Sequence, residues 1–243
     1  MPRYFIEVSY KGANYSGFQI QQNANSIQAE VEKALKIFYK EEYKLTGSSR
    51  TDAGVNALQN YFHFDSLAIV EDGSYHINAI IPQDIVVKRI FQVQPESHSR
   101  FDAISREYIY NIYQHKDPFL ADRAYFYPYT LNIELLQQAA AEIVKHSDFT
   151  SFSKRNTQAK TTICCITASY WKQEGGMISY HVTSNRFLRG MVRGLVGTML
   201  QVGKGKITLA QFIDIIEAKD CTKADFAVPP QGLFLKKVNF LSF

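Results

Sequence analysis

Residues 50–54 read Arg-Thr-Asp-Ala-Gly and place a guanidinium two positions before a carboxylate, in a chain of 243 residues. They follow Gly47 and two serines and precede an apolar stretch, so we expect a loop between two elements of secondary structure. Two interpretations of this loop are open. Asp52 could cap local backbone N–H groups in a turn for which Gly54 supplies a positive φ. Alternatively, Asp52 could be a catalytic carboxylate with Arg50 beside it.

Three arginines near residue 190 form a second candidate for chemistry. Arg186, Arg189 and Arg193 are three and four residues apart, and the sequence predicts a helix over about 187–202. The arginines would then lie on one helical face and form a basic stripe that suits the phosphates of RNA. Ordinary solvation of a helix surface is the alternative, and the formal net charge of +4 does not decide between the two.

The remaining reactive side chains form no recognisable catalytic or metal-binding pattern. Cys164 and Cys165 are adjacent in an apolar run, Cys221 stands alone, and the sequence has neither a CxxC pair nor a Cys/His spacing suited to zinc. We expect buried reduced thiols on a strand. The six histidines show no spacing between a nucleophile and a base, and a Walker loop and a Rossmann glycine fingerprint are missing. Neither a cofactor nor a metal is therefore expected.

The elements that must hold these residues are predicted from periodicity and from capping signals. Residues 3–10 alternate and are rich in β-forming side chains, which predicts a strand. Ser26 is placed to cap a helix that runs to about Tyr39, with apolar residues at helical spacing. Further strands are predicted near 58–64 and 84–94.

A second half is predicted to begin near residue 105, with an aromatic strand over 106–113. Asn132 is placed to cap a helix over about 133–145, and Thr208 begins a capping box for another helix. The other elements expected in this half are strands near 161–171, 177–184 and 233–240 and the helix that would carry the three arginines.

Both halves show strands, an inserted helix and then more strands, which favours mixed pairing over a purely parallel sheet. We expect an α+β fold in which two ferredoxin-like halves, residues 1–104 and 105–243, share a mixed, mainly antiparallel sheet flanked by helices. No linker rich in proline, glycine or serine separates the halves, so the boundary is expected to lie inside a continuous fold.

Composition is that of a soluble globular protein, with 46% hydrophobic and 21% charged residues. No run of about 18 apolar residues is present, which argues against a membrane span. Residues 1–25 have no apolar core of the kind that a signal peptide needs. We therefore expect a cytoplasmic protein without disulfides.

Several segments resemble one enzyme family. Residues 48–57, Ser-Ser-Arg-Thr-Asp-Ala-Gly-Val-Asn-Ala, resemble the Gly-Arg-Thr-Asp-Ala-Gly-Val-His-Ala signature of the tRNA pseudouridine synthase A family. Residues 15–21, Tyr-Ser-Gly-Phe-Gln-Ile-Gln, look like the family's Tyr-x-Gly-Trp-Gln-x-Gln. Further segments similar to family blocks, in family order, are 78–85, 100–103, 106–110, 148–152, 187–193 and 232–235. The resemblance thus extends over nearly the whole chain.

The resemblance implies a pseudouridine synthase fold and an isomerase that works without a cofactor on uridines 38, 39 and 40 in the anticodon stem-loop of tRNA. Asp52 is implied as the catalytic nucleophile and Tyr108 as the aromatic residue that stacks on the target base. Arg193 would be the cation paired with Asp52, and Leu233 the apolar wall of the pocket. Arg50 would help to flip the base and would fill the space it leaves. The resemblance also implies a homodimer whose two subunits hold one tRNA.

Four positions depart from the family pattern: Asn56 replaces a histidine, Ser49 a glycine, Phe18 a tryptophan and Lys11 an aspartate. These departures put in doubt which tRNA position is served more than whether the enzyme turns over. Two alternatives remain at this point. One is a non-catalytic RNA-binding protein with the same fold, and the other is a hydrolase that uses Asp52 as an acid–base, for which no second carboxylate is convincingly placed.

Overall fold

The computed structural model describes all of the chain except residues 69, 156–158 and 242–243. The chain divides into two compact units: Ser105–Leu233 forms the second, and Met1–Ile104 forms the first together with the described part of Phe234–Phe243. The sequence predicts that this C-terminal segment belongs to the second half, which is wrong. Its strand pairs with a strand of the first unit.

Four main strands form the sheet of the first unit. They are β1 (Arg3–Tyr10), β3 (Asn56–Asp65), β4 (Ile85–Val93) and β9 (Leu233–Phe240), and the short β2 (Thr46–Gly47) lies beside β3. The order is β4-β1-β3-β9, in which β1 runs antiparallel to both of its neighbours and β9 runs parallel to β3. β1 is therefore an inner strand, and most of its side chains are buried.

Two helices, α1 (Ile27–Tyr39) and α2 (Ser74–Asn78), complete the first unit. The side chain of Ser26 accepts a hydrogen bond from the backbone N–H of Ala29, and Lys40 ends α1 in the left-handed conformation with φ of 60°. The predicted cap and extent of α1 are confirmed. The sequence does not predict α2, because this helix is too short to show a helical period.

The described part of the second unit contains four strands and three longer helices. They are β5 (Ala103–Tyr113), β6 (Tyr125–Phe126), β7 (Ile166–Glu174), β8 (Met177–Ser184), α3 (Ile133–Ile143), α4 (Met191–Gly203) and α5 (Leu209–Glu217). β5, β8 and β7 pair antiparallel in that order, and β6 pairs with β5 in parallel. Asn132 caps α3 and Thr208 caps α5 with a complete capping box, both as predicted.

Helix α4 begins at Met191 and not at residue 187 as predicted. Gly190 at its N-cap has φ of 74°, a left-handed conformation that glycine adopts freely and that an α-helix cannot contain. Arg186 and Arg189 therefore precede the helix, and the predicted helical face with three arginines does not exist.

The adjacent cysteines precede β7 and do not lie on it. Cys164 is buried, Cys165 is exposed, and the strand begins at Ile166. The prediction of buried thiols on a strand is therefore correct only for the burial of Cys164. The backbone N–H of Cys165 donates instead to the side-chain oxygen of Asn185 at 2.8 Å, which fixes the chain just before the strand starts.

Together these elements form the predicted α+β class, with mixed, mainly antiparallel strand pairing and accompanying helices. The caps of α1, α3 and α5 satisfy backbone N–H groups that each helix would otherwise leave unpaired. In the described part of the chain, none of the helices combines the length and the apolar character that a membrane crossing requires.

Glu7 on β1 is a buried carboxylate with several donors around it. Its oxygens accept hydrogen bonds from Gln59, from the hydroxyl of Tyr61 and from Arg89, at 2.9 to 3.0 Å. Burial alone would raise the pKa of Glu7, but the hydrogen bonds and the charge of Arg89 outweigh burial and lower the pKa. The ionised carboxylate is therefore the form that stabilises the first unit.

We expect Glu7→Gln to lower the free energy of unfolding by about 1–3 kcal/mol near neutral pH, because one acceptor oxygen becomes an N–H group that faces donors. Since the pKa of Glu7 is lower in the folded state, its contribution is present above about pH 4.5 and is lost as the pH falls. Urea unfolding of both proteins over this range should show a difference that shrinks toward acid. The exposed Glu96→Gln is the control. A difference that does not vary with pH would contradict the role of the charge.

Candidate active site

Buried hydrogen bonds tie the loop between β2 and β3 to the sheet of the first unit. The side-chain amide of Asn60 donates to the carbonyl of Ser49 at 2.8 Å and to the hydroxyl of Tyr10 at 3.1 Å. That hydroxyl lies 2.8 Å from Oγ1 of Thr51, and all four residues are buried. The backbone on both sides of Arg50 is therefore fixed, while the side chain of Arg50 is exposed.

A second loop, over residues 11–25, packs against this one. The backbone N–H of Phe18 donates to the carbonyl of Thr51 at 3.1 Å. Gly17 has φ of 113°, and a Cβ at this position would lie 3.1 Å from the same carbonyl oxygen, so both the conformation and the close approach favour glycine. The ring of Phe18 stacks on Phe62 with centroids 4.4 Å apart. Phenylalanine is therefore well packed at this position, where the family usually has tryptophan.

Asp52 lies in a turn that is closed by a hydrogen bond from the N–H of Val55 to the carbonyl of Asp52, at 3.2 Å. Gly54 in this turn has φ of 77°, so the predicted positive φ is confirmed. The carboxylate of Asp52 is half-buried, and no described residue of the first unit donates a hydrogen bond to it. Asp52 is thus not a cap of the local backbone, and its carboxylate remains available for chemistry within this unit.

Arg193 in the second unit lies on α4 and binds the backbone of the segment that leads to β9. Its Nε donates to the carbonyl of Val228 at 2.7 Å, and a terminal nitrogen donates to the carbonyl of Phe226 at 3.4 Å. Leu233 follows this segment and is buried. The segment before Leu233 is therefore held on α4 by a charged side chain. The pairing of Arg193 with Asp52 stays a prediction.

Tyr110 on β5 binds the same segment. Its hydroxyl donates to the carbonyl of Pro229 at 2.7 Å, and a Cβ on Gly232 would lie 2.9 Å from its ring. Burial raises the pKa of this hydroxyl, and the nearby guanidinium of Arg193 opposes the rise. The hydroxyl is therefore a neutral donor at physiological pH, and Tyr110 and Arg193 act together on one short stretch of backbone.

Tyr108 lies two residues before Tyr110 on β5, opposite Val182 of β8. Its ring is buried and meets the ring of Phe187 edge-on, with centroids 5.0 Å apart. The second unit thus brings three of the predicted site residues, Tyr108, Arg193 and Leu233, onto elements that contact one another.

Arg186 and Arg189 lie in the turn before α4, half-buried and exposed respectively. The carbonyl of Arg189 accepts the N–H of Lys154 at 3.0 Å, and the side chain of Lys154 lies against Gly190. Basic residues from two distant segments therefore meet here, which the spacing within either segment does not indicate. The contact of Arg186 and Arg189 with RNA phosphates stays a prediction.

Tyr10 and Asn60 are parts of the site that the sequence analysis missed. The available signal was a polar side chain at position 60 of a strand that is otherwise rich in buried apolar residues. Asn56, one of the departures from the family pattern, accepts the N–H of Gly12 at 2.9 Å through its side-chain oxygen. This hydrogen bond helps to hold the two loops together. Glycine is needed at position 12, because a Cβ there would overlap the carbonyl of Val55.

The first unit therefore offers a half-buried carboxylate on a fixed loop with an exposed guanidinium beside it. The second unit offers a buried aromatic ring, a guanidinium and an apolar side chain on connected elements. A carboxylate in such surroundings can act as a nucleophile or as a base. In the part of the chain that the structure describes, no group of three or more histidine, cysteine, aspartate or glutamate side chains could hold a metal ion.

Comparison with known proteins identifies the family of this chain. A family profile described as tRNA pseudouridine synthase matches residues 139–241. A tRNA pseudouridine synthase A from Parabacteroides distasonis is 42% identical, and the match covers 99% of this chain and 96% of that protein. Proteins of the same name from Bacteroides thetaiotaomicron and Staphylococcus aureus are 41% and 35% identical, over 99% and 97% of this chain and 91% and 90% of their own lengths. The chain therefore belongs to the tRNA pseudouridine synthase A family.

Proposed function

We propose that the chain isomerises uridine to pseudouridine in the anticodon stem-loop of tRNA, at positions 38 to 40, with Asp52 as the catalytic carboxylate. The proposal is based on the structure of the loop between β2 and β3, which contains Asp52. Buried hydrogen bonds fix the backbone on both sides of Arg50, yet the carboxylate of Asp52 receives no hydrogen bond from the described residues of its unit. A carboxylate that accepts no such bond on an otherwise fixed loop is available to react with a substrate. Membership of the family supports tRNA as the substrate and isomerisation as the reaction.

The reaction breaks the N1–C1′ bond, turns the uracil while it stays bound, and joins C5 to C1′. The hydrogen on C5 leaves as a proton and N1 gains a proton, so atoms and charges balance without a redox partner. Asp52 could attack C1′, attack C6 or assist elimination at the sugar, and every route starts from an ionised carboxylate. A guanidinium close to a carboxylate favours the ionised form, which is the role that we assign to Arg193.

Tyr108 and Leu233 would control the detached base. Once the glycosidic bond is broken, the uracil has no covalent tether, and stacking on an aromatic ring is worth about 1–3 kcal/mol per base. An apolar wall at Leu233 would exclude water that could hydrolyse the ribosyl intermediate.

We also propose that the chain acts in the cytoplasm as a homodimer whose two subunits hold one tRNA. The aromatic run over residues 125–129 supplies a candidate contact surface, because Phe126 and Tyr129 are exposed while Tyr127 is buried. The ammonium group of Lys204 lies 3.3 Å from the centre of the Tyr129 ring, which holds that ring in place. Exposed aromatic side chains are enriched at protein interfaces.

We expect Asp52→Asn to slow pseudouridine formation by at least ~10⁴, or about 5.4 kcal/mol of barrier. The amide keeps the size of the side chain but loses its charge and nucleophilicity, so tRNA affinity should stay near that of the wild type. Tritium release from C5 of uridine-tritiated tRNA reports formation of the C5–C1′ bond, and filter binding gives the affinity. Asp214→Asn, exposed on α5, is the control. Activity of Asp52→Asn within about tenfold of wild type would remove Asp52 from the mechanism.

Arg50 should matter most where the target uridine is paired. A uridine in the anticodon stem must be flipped out of the helix at a cost of a few kcal/mol, and the exposed planar guanidinium of Arg50 can fill the space that it leaves. Arg50→Ala should therefore slow reaction at position 39, in the stem, far more than at position 38, in the loop, and Arg50→Lys should rescue little. Single-turnover rates in one tRNA that carries both uridines give the comparison. Equal slowing at the two positions would mean that Arg50 only orders the loop.

Arg186→Ala and Arg189→Ala should each weaken tRNA binding without changing turnover at saturation, if their side chains contact phosphates. The plot of log K against log salt should become shallower by roughly 0.7–0.9 for each lost contact. Arg123→Ala is the matched control, because Arg123 is exposed and forms an ion pair with its neighbour Asp122. Salt slopes that stay unchanged in both variants would assign the two arginines to ordinary solvation.

A further inference from the structure

A cavity of about 350 Å³ opens within the first unit beside the loop between β2 and β3 that carries Arg50 and Asp52, which we call the catalytic loop. Its volume lies near the lower end of the range for ligand pockets, about 300–1,000 Å³, which suits one nucleotide better than a longer segment. The side chains that line it include Phe18, Gln19, Arg50, His98, Arg100 and Phe101. The roles assigned above to the catalytic loop account for Arg50 but not for the cavity or for Arg100 and Phe101.

Phe101 is 74% exposed although the chain around it forms a tightly bonded turn. Nδ1 of His98 accepts the N–H groups of Arg100 and Phe101 at 3.1 and 3.3 Å. Asp102 closes the turn, since its carboxylate accepts the N–H of His98 at 2.7 Å and its own N–H donates to the carbonyl of His98 at 3.1 Å. The rings of His98 and Phe101 pack with centroids 4.2 Å apart. Phe101 is thus held in an exposed position, so a ligand that stacks on it would lose little side-chain entropy.

Contacts with β3 anchor this turn, residues 98–102, to the sheet. The ring of His98 meets the ring of His63 edge-on at 4.5 Å, and Nδ1 of His63 lies 2.8 Å from the hydroxyl of Ser99. Burial lowers the pKa of His98 and lowers that of His63 to about 4, so both imidazoles are neutral at pH 7. The positive charge at the cavity therefore comes from Arg50 and Arg100, and it does not change with pH in the physiological range.

We infer that this cavity binds a nucleotide of the tRNA next to the uridine that is modified, with Phe101 stacked on its base and Arg100 at its phosphate. A cationic group beside an exposed aromatic ring is the combination that binds single-stranded nucleotides without regard to sequence. The guanidinium of Arg100 lies 5.8 Å from the centre of the Phe101 ring, so one nucleotide can reach both. Arg50 belongs to the cavity and to the catalytic loop, so the bound nucleotide would adjoin the target. The inference rests on the proposed function, because it takes tRNA as the ligand.

Phe101→Trp makes stacking directly observable. The chain has one tryptophan, Trp171, which is buried in the second unit. An exposed indole at position 101 adds emission that should be quenched by stacking on a base when tRNA is titrated. Phe119→Trp is the matched control, because Phe119 is 80% exposed and is not one of the residues that line the cavity. Its emission should stay unchanged.

Affinity provides the second measurement. Phe101→Ala and Phe101→Leu should both weaken tRNA binding by about tenfold, because leucine keeps the apolar bulk but loses the aromatic plane. Phe101→Trp should bind as the wild type does. Phe119→Ala, the control for removal of an exposed phenylalanine, should also bind as the wild type does.

Unquenched emission from Phe101→Trp, or wild-type affinity in Phe101→Ala, overturns the inference. A changed oligomeric state in Phe101→Ala would show that the exposed ring contacts protein, which also overturns it. Tritium release by the wild-type protein separates this inference from the proposed function. A wild type that releases no tritium from tRNA refutes the proposed function, whereas an active wild type with unquenched Phe101→Trp refutes the nucleotide site alone.

Discussion

The side-chain amide of Asn60 is buried, so water cannot satisfy its two N–H groups. Both are satisfied, one by the carbonyl of Ser49 and the other by the hydroxyl of Tyr10, and leaving such a group unpaired would cost about 1–3 kcal/mol. This requirement ties the loop between β2 and β3 to the sheet at one point directly and at a second point through Tyr10 and Thr51. Arg50 lies between these two points, and its side chain is exposed.

Hydrogen bonds from side chains to backbone carbonyls also fix an irregular segment of the second unit. Both units contain an irregular segment beside a candidate site residue, and side chains that donate to its backbone carbonyls hold it where regular secondary structure does not. Asn60 donates to Ser49, while Arg193 and Tyr110 donate to Val228 and Pro229. Irregular backbone can thereby carry exposed reactive groups and still keep a defined geometry, which a catalytic site requires.

Local signals predict local structure, which is why the sequence yields most of the strands and the caps of three helices. Each cap depends on groups within four residues of one another. The sequence predicts the start of α4 incorrectly, because apolar periodicity does not reveal that Gly190 adopts a positive φ. The bonds of Asn60 join segments that are distant in sequence, and no local pattern predicts them. Asp52 became a firm candidate only through family resemblance, since a carboxylate near an arginine in a turn allows two interpretations.

The position of strand β9 in the sequence affects how the protein folds during translation. Asn56, the first residue of β3, pairs with Phe234, and the whole second unit is translated between these partners. Because chains leave the ribosome N-terminus first, β3 is complete long before its neighbour β9 exists. A ribosome that stalls within the second unit therefore releases a fragment in which this end of β3 is an unpaired edge. Such an edge can pair with foreign strands, so an interrupted chain carries a feature that chaperones and proteases can recognise.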